Sequence, residues 1–178
     1  TVTPFSNAAT ICSYPRFCVE GPMPADMSTA ALDRYFAAEN AGRLIEVPTA
    51  VGFCMFIRRD CLDEVGLFDA DRFGLGYGEE NDFCMRARAT GWRHVLALDT
   101  FVRHSGGVSF GAEKPRRVSE AQDLLAALHP DYAPAVARHV EEDPAQPARL
   151  KVDLARVRAG GLPAVLFVSH VGGGGTER

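Results

Sequence analysis

The stretch VGFCMFIRR, Val51 to Arg59, limits the possible folds of this chain more than any other. It is apolar at odd and even positions alike. As a strand it would be apolar on both faces, which predicts a central strand in an α/β layer. The segments around it alternate between strand and helix patterns. TVTPF opens as a strand and passes into an Asn/Ser/Pro-rich loop. Ser28 caps a predicted helix that turns Leu32, Tyr35 and Phe36 to one side and stops at Gly42. LIEVP, Leu44 to Pro48, reads as a strand. Asp60 caps a short helix, CLDEV, that Gly66 ends. LFDADRFGLGYG reads as a loop. A helix is then predicted from Glu79 to Thr90, closed by Gly91, followed by the strand WRHVLAL and the strand-to-loop segment DTFVRHSGG.

The length of 178 residues suits one domain, or one and part of another. With 47% of residues hydrophobic, a packed core is affordable and no stretch reads as disordered. A net charge of −4, from 19 basic and 23 acidic residues, argues against a nucleic-acid binder, which shows a basic stripe. Cys12, Cys18, Cys54, Cys61 and Cys84 form no C-x-x-C pair and read as reduced core residues of a cytoplasmic protein. No apolar run approaches the roughly 20 residues needed to span a bilayer, so a soluble chain is expected. The first residues read as a strand and the last as a strand with a glycine turn whose helix does not follow. Both ends predict a fragment of a longer polypeptide.

Glu79, Glu80 and Asp82 gather at a predicted helix start behind Gly74, Gly76 and Gly78. Acids there offset the helix macrodipole, at about 0.3–1 kcal/mol each, and Asp82 can also pair with Arg86 one turn on. That explanation needs no ligand. The glycines, however, permit a closer approach than a helix start requires, and Tyr77 offers a flat, partly polar surface for a sugar ring. His104 follows Asp82 by 22 residues and leaves a strand into Gly106-Gly107. By itself such a histidine is more often structural than a metal ligand.

Taken together, the run from Val51 to Gly107 resembles the C-terminal half of the catalytic domain of glycosyltransferase family 2, the inverting GT-A enzymes. TVTPFSNAATICSYP is similar to the segment that follows the metal-binding D-x-D strand in bacterial members. The resemblance covers roughly residues 1–115. It implies an α/β fold, the C-terminal part of a GT-A nucleotide-diphospho-sugar transferase domain, with a mixed sheet and flanking helices.

The resemblance also assigns roles. The acid pair after the glycines supplies the general base that takes the acceptor hydroxyl's proton. The family's usual pair is Glu-Asp; here the matching base position is Glu80, with Glu79 as the other candidate. Tyr77, Gly78, Asp82, Gly52 and Thr49 fall at the acceptor, with Asp82 orienting either Arg86 or the acceptor sugar. Arg58, Arg59, Gly106, Gly107 and Lys114 fall near the donor and its phosphates, the Gly-Gly loop as a flap. Arg116 and Arg117 stand beside Lys114 in a cluster that is either phosphate-binding or merely solvated. His104 matches a position where some members add a ligand to a divalent cation, Mn²⁺ or Mg²⁺, whose D-x-D ligands would lie upstream of Thr1. Phe68 and Asp69 match a family turn whose Asp is structural.

Residues 116–160 read as a helical connector broken by Pro130, Pro134, Pro144 and Pro147. Residues 161–178, ending VLFVSHVGGGGTER, resemble the first strand and glycine loop of a GT-B, family 4 type, transferase. The implied polypeptide is a multi-domain hexosyltransferase of bacterial surface-polysaccharide synthesis, cytoplasmic or peripheral to the inner membrane. It would take a nucleotide-sugar donor and a saccharide acceptor, with this fragment inactive alone. The alternative is a degenerate module that binds glycan or scaffolds a synthase.

Overall fold

The computed structural model describes residues 1–24, 27–74, 77–105 and 114–161, the side chains of 114 and 115 excepted. Gly76, Gly106, Gly107, the Lys114 side chain and residues 162–178, expected to open a second domain, therefore lie outside the described residues.

Three strands form one mixed sheet in the order β1-β3-β2, with β1 at Val2–Phe5, β2 at Leu44–Glu46 and β3 at Val95–Phe101. The middle strand β3 runs parallel to β1, with Val2 opposite Val95, and antiparallel to β2, with Leu44 opposite Ala97. Between β1 and β2 comes α1, Thr29–Asn40. Its start is the expected one: Ser28 is the N-cap and its hydroxyl accepts from Ala31 N at 3.1 Å. After β2 come α2 (Arg59–Val65), the single-turn α3 (Ala70–Phe73) and α4 (Glu79–Ala89). Gly66, at φ 87°, ends α2 as its spacing predicts, and Asp69 caps α3 by accepting from Arg72 N at 3.1 Å. The segment expected to be all loop thus contains a helical turn.

The expected central strand at Val51–Arg59 is not there. Residues 51–54 turn on a Cys54 N to Val51 O bond of 3.4 Å, and only Phe56 meets the sheet, through two bonds with Val2 at 2.8 and 2.9 Å. The continuous apolar run has a different cause. Val51 and Phe53 pack on one hydrophobic cluster, and Met55 and Ile57 pack on another. The segment bridges two cores rather than filling one layer, and Phe56, expected in the core, is 66% exposed. The cysteines divide likewise: Cys12, Cys61 and Cys84 are buried, whereas Cys54 is half-buried and Cys18 exposed, all five free.

The larger cluster joins Phe5, Tyr14, Phe36, Leu96 and Phe101 to residues from the far end of the chain. There α5 (Lys114–Leu128), α6 (Tyr132–Glu142) and α7 (Gln146–Ala159) follow one another. Pro130 and Pro144 separate them, whereas Pro134 and Pro147 fall in first turns, where a missing N–H is tolerated. The segment read as a connector seals this core: Val152 is fully buried in it, Asn40 Nδ2 donates to Ala148 O at 3.3 Å, and Tyr14 Oη donates to Asp153 at 2.6 Å. The smaller cluster, Ala50, Cys61, Phe83, Cys84 and Ala87, lies under α2 and α4. Among the described residues no helix is long and apolar enough to cross a membrane.

His94 ties β3 to α4. Its Nε2–H donates to Cys84 O at 2.9 Å, and its Nδ1 accepts from Thr1 Oγ1 at 2.8 Å. Burial pulls its pKa from 6.5 down to about 4. The unfolded chain therefore binds one more proton than the folded one between those values, and stability falls as pH drops through that window. Urea unfolding between pH 7 and pH 4 is expected to show a loss of up to about 3 kcal/mol from this group, a loss that His94→Gln removes.

Candidate active site at the start of helix α4

Helix α4 begins without a side-chain cap. Gly78 sits at the N-cap with φ 88°, and a Cβ there would stand 3.0 Å from Phe73 and 3.2 Å from Ala121. Only glycine fits both the backbone angle and the space. Glu79 and Glu80 follow as the first two helical residues, so their carboxylates stand at the electropositive end of the helix.

Glu80 folds back over the chain. A Cβ on Gly52 would lie 3.3 Å from Glu80 Cγ and 3.4 Å from Cδ, so the missing side chain at Gly52 makes room for Glu80 itself. At Gly52 the close neighbour is Glu80 itself. Burial raises the Glu80 pKa, and the Glu79 charge adds to the rise while backbone N–H groups at the helix start oppose it. Glu79 has one carboxylate oxygen, Oε2, buried without a hydrogen-bond partner among the described residues.

The next residue after Gly52 connects to the other candidate. Phe53 stacks on the His104 ring with centroids 5.2 Å apart. His104 Nδ1–H donates to Ala8 O at 2.6 Å, while its backbone N–H donates to Asn7 Oδ1 at 2.9 Å. Fixing Nδ1 on a carbonyl leaves the Nε2 lone pair as the ring's remaining acceptor, the arrangement that orients a metal-ligating histidine. The imidazole borders a cavity of about 430 Å³ shared with Asn7, Glu20, Gly21 and Met23. Among the described residues no three His, Cys, Asp or Glu side chains cluster as a metal site. His104 is therefore a fit for one ligand of a cation, not for a whole coordination shell.

Other expected site residues serve the frame. Asp82 is 3% exposed and has both oxygens engaged: Oδ2 accepts from Arg86 Nε and Oδ1 from His129 Nε2, each at 2.8 Å. Of its two expected roles, orienting Arg86 is the one this geometry displays. Arg86 in turn donates to Val65 O and Leu67 O at 2.8 and 2.9 Å, capping the end of α2. Thr49, expected at the acceptor, is buried and donates to Asn81 Oδ1 at 2.8 Å, pinning α4 from beneath. Arg58, expected at phosphate, is bound to Asp60 and lies over Trp92 at 5.5 Å. Arg59 starts α2 and is exposed. Tyr77 borders a separate cleft with Arg72, Arg116 and Arg117.

Residues 25–121 match the family model described as Glycosyltransferase like family 2. The chain belongs to that family. No curated protein and no solved structure matches it. As a family 2 glycosyltransferase domain it is a transferase of sugars, and its mixed sheet with flanking helices forms part of a GT-A fold.

Two residues beside the acids carried no sequence signal. His129 precedes a proline at a helix end, and nothing in that context links it to Asp82. Tyr132 sits close enough to Glu80 for the glutamate's charge to reinforce burial in pushing the phenol up to about 12. Removing Asp82 leaves Arg86 and His129 without their shared anion. Asp82→Ala is expected to lower unfolding free energy by about 3 kcal/mol, measured by urea denaturation, and Asp82→Asn by less.

Proposed function

We propose that this chain is the acceptor side of an inverting glycosyltransferase that moves a hexosyl group from a nucleotide sugar to a saccharide hydroxyl, with Glu80 as general base. The observation that carries the reading is the packing of Glu80 on Gly52, one residue from the Phe53–His104 stack. It gathers a carboxylate and an imidazole around one short backbone segment.

In this reading the acceptor hydroxyl approaches Glu80, whose raised pKa brings it nearer to a proton acceptor's working range. The hydroxyl oxygen attacks the anomeric carbon from the face opposite the nucleotide diphosphate, its proton passes to the Glu80 carboxylate, and the diphosphate leaves with the bonding pair. Glu79, next to Glu80 at the helix start, is the other carboxylate that can meet the acceptor hydroxyl. His104 Nε2 would hold one position of a divalent cation, which when bound supplies positive charge against the leaving diphosphate. The remaining ligands would come from a D-x-D upstream of Thr1, so the isolated chain is proposed to be inactive. Assembly of a bacterial surface polysaccharide, in the cytoplasm or at the inner membrane face, is the proposed setting. A second transferase domain, of which 161–178 would be the first strand and glycine-rich loop, and a peripheral membrane association belong to the same proposal.

The test is sugar transfer by the polypeptide that contains this chain, over a panel of nucleotide sugars with Mn²⁺. Glu80→Gln is expected to lower turnover by about 10²–10⁴-fold and Glu79→Gln by much less. An active wild type whose turnover survives both substitutions would overturn the assignment and leave the two acids as helix-start charges only. The stability effect has the opposite sign. Because the folded-state pKa of Glu80 is raised, ionising it costs stability as pH rises through and above the usual 4.5. Glu80→Gln is therefore expected to melt at or above the wild-type temperature near neutral pH.

A further inference from the structure

The transfer chemistry above does not use the cleft beside the start of α4. Between α3, the start of α4 and α5 lies a cavity of about 260 Å³ walled by Arg72, Phe73, Tyr77, Arg116, Arg117 and Ala121. Among the described residues, three guanidinium groups and the Glu120 carboxylate border this space. Arg72 meets Asp69 at 3.5 Å and Arg116 meets Glu120 at 3.2 Å, both through one contact between well-exposed arginine side chains. Exposed pairs of this kind are weak, so these guanidinium groups can turn to a bound anion at little cost.

The cleft adjoins the candidate base. Phe73 and Ala121, two of its walls, are the residues that a Cβ on Gly78 would strike, and Glu79 and Glu80 begin directly after Gly78. Cleft and base therefore share one junction within a helical turn. Two adjacent carboxylates repel an anionic sugar, and a neutral cleft beside them would exclude one. The arginines supply guanidinium donors beside the acids, and a planar guanidinium binds a carboxylate or phosphate through paired hydrogen bonds. Tyr77 adds an amphipathic ring against which a sugar can lie.

We propose that this cleft binds an anionic group, a carboxylate or a phosphate, on the acceptor saccharide and so sets which acceptor hydroxyl reaches Glu80. The inference rests on the acceptor-side reading of Glu80. The cleft meets α4 through Gly78, whereas His104, the side proposed for the donor's leaving group, is reached through Gly52 and Phe53. That separation assigns the anion to the acceptor and not to the nucleotide.

The test is NMR titration of the full chain with galacturonate, galactose 6-phosphate, galactose and UDP, with circular dichroism as the check on folding. At least one anionic sugar is expected to bind about tenfold or more tightly than galactose, and which one does so tells carboxylate from phosphate recognition. Arg72→Gln and Arg116→Gln, both surface changes, are expected each to weaken that binding several-fold. Equal affinity for charged and neutral sugars, no binding, indifference to both arginine changes, or displacement by UDP would each overturn the proposal. The transferase reading fails separately: a protein that binds the anionic sugar through these arginines, while its active parent tolerates Glu80→Gln, keeps the cleft and loses the base.

Discussion

The Asp82 carboxylate holds the site together. It is buried, and its two oxygens face different parts of the chain: Arg86 and through it the end of α2, and His129 at the end of α5. A buried charge is tolerated only when its lone pairs are met, and here one carboxylate meets that demand by joining three helices. Helix α4 cannot rotate or slide without breaking one of those bonds. Glu79 and Glu80 share the first turn of the same helix, so the direction in which they point follows from Asp82.

The three acids share a helix start but not a role. Asp82 is neutralised by its partners. Glu80 is left with backbone N–H groups and the Gly52 gap, and its burial makes the charged form costly, which is the property a proton acceptor needs. Glu79 keeps an oxygen that no described group satisfies. Repulsion among them is relieved by this division, since Asp82 is turned into the frame while Glu80 folds over Gly52. The cost that remains is borne by the folded state, where removing the Glu80 charge is favourable for stability and adverse for chemistry.

Local signals in the sequence were legible where one residue does one job. Ser28 caps α1, Gly66 ends α2, Asp69 caps α3, and the glycine and acid pattern locates the start of α4. The family was legible for the same reason, from an ordered set of such residues. Legibility failed where tertiary packing reuses a local pattern. Val51 to Ile57 has the composition of a buried strand, yet its alternate residues serve two separate clusters. Thr49 and Asp82 look like site residues because polar side chains near glycines suggest a ligand, but their partners, Asn81 and His129, come from other elements that spacing cannot pair. Arg58 reads by its place in the motif as a donor-side residue, and its partners in the fold, Asp60 and Trp92, could not be read from that motif.

The region after residue 121, where the family match ends, decides how far the site depends on the rest of the chain. His129 completes the Asp82 bonds, Tyr132 stands near Glu80, and Val152 fills the core that Phe5 and Phe36 begin. These residues lie on the helices that the sequence presents as a connector. A connector would leave its apolar face to a neighbour, and part of α7 does so, since Leu150, Leu154 and Val157 are exposed. Its other face does not: Ala148 and Val152 are buried, and Arg156 reaches Tyr14 Oη at 2.6 Å. The frame around the acids is thus built from both sides of the matched region, and the orientation of Glu80 depends on helices that carry no family motif.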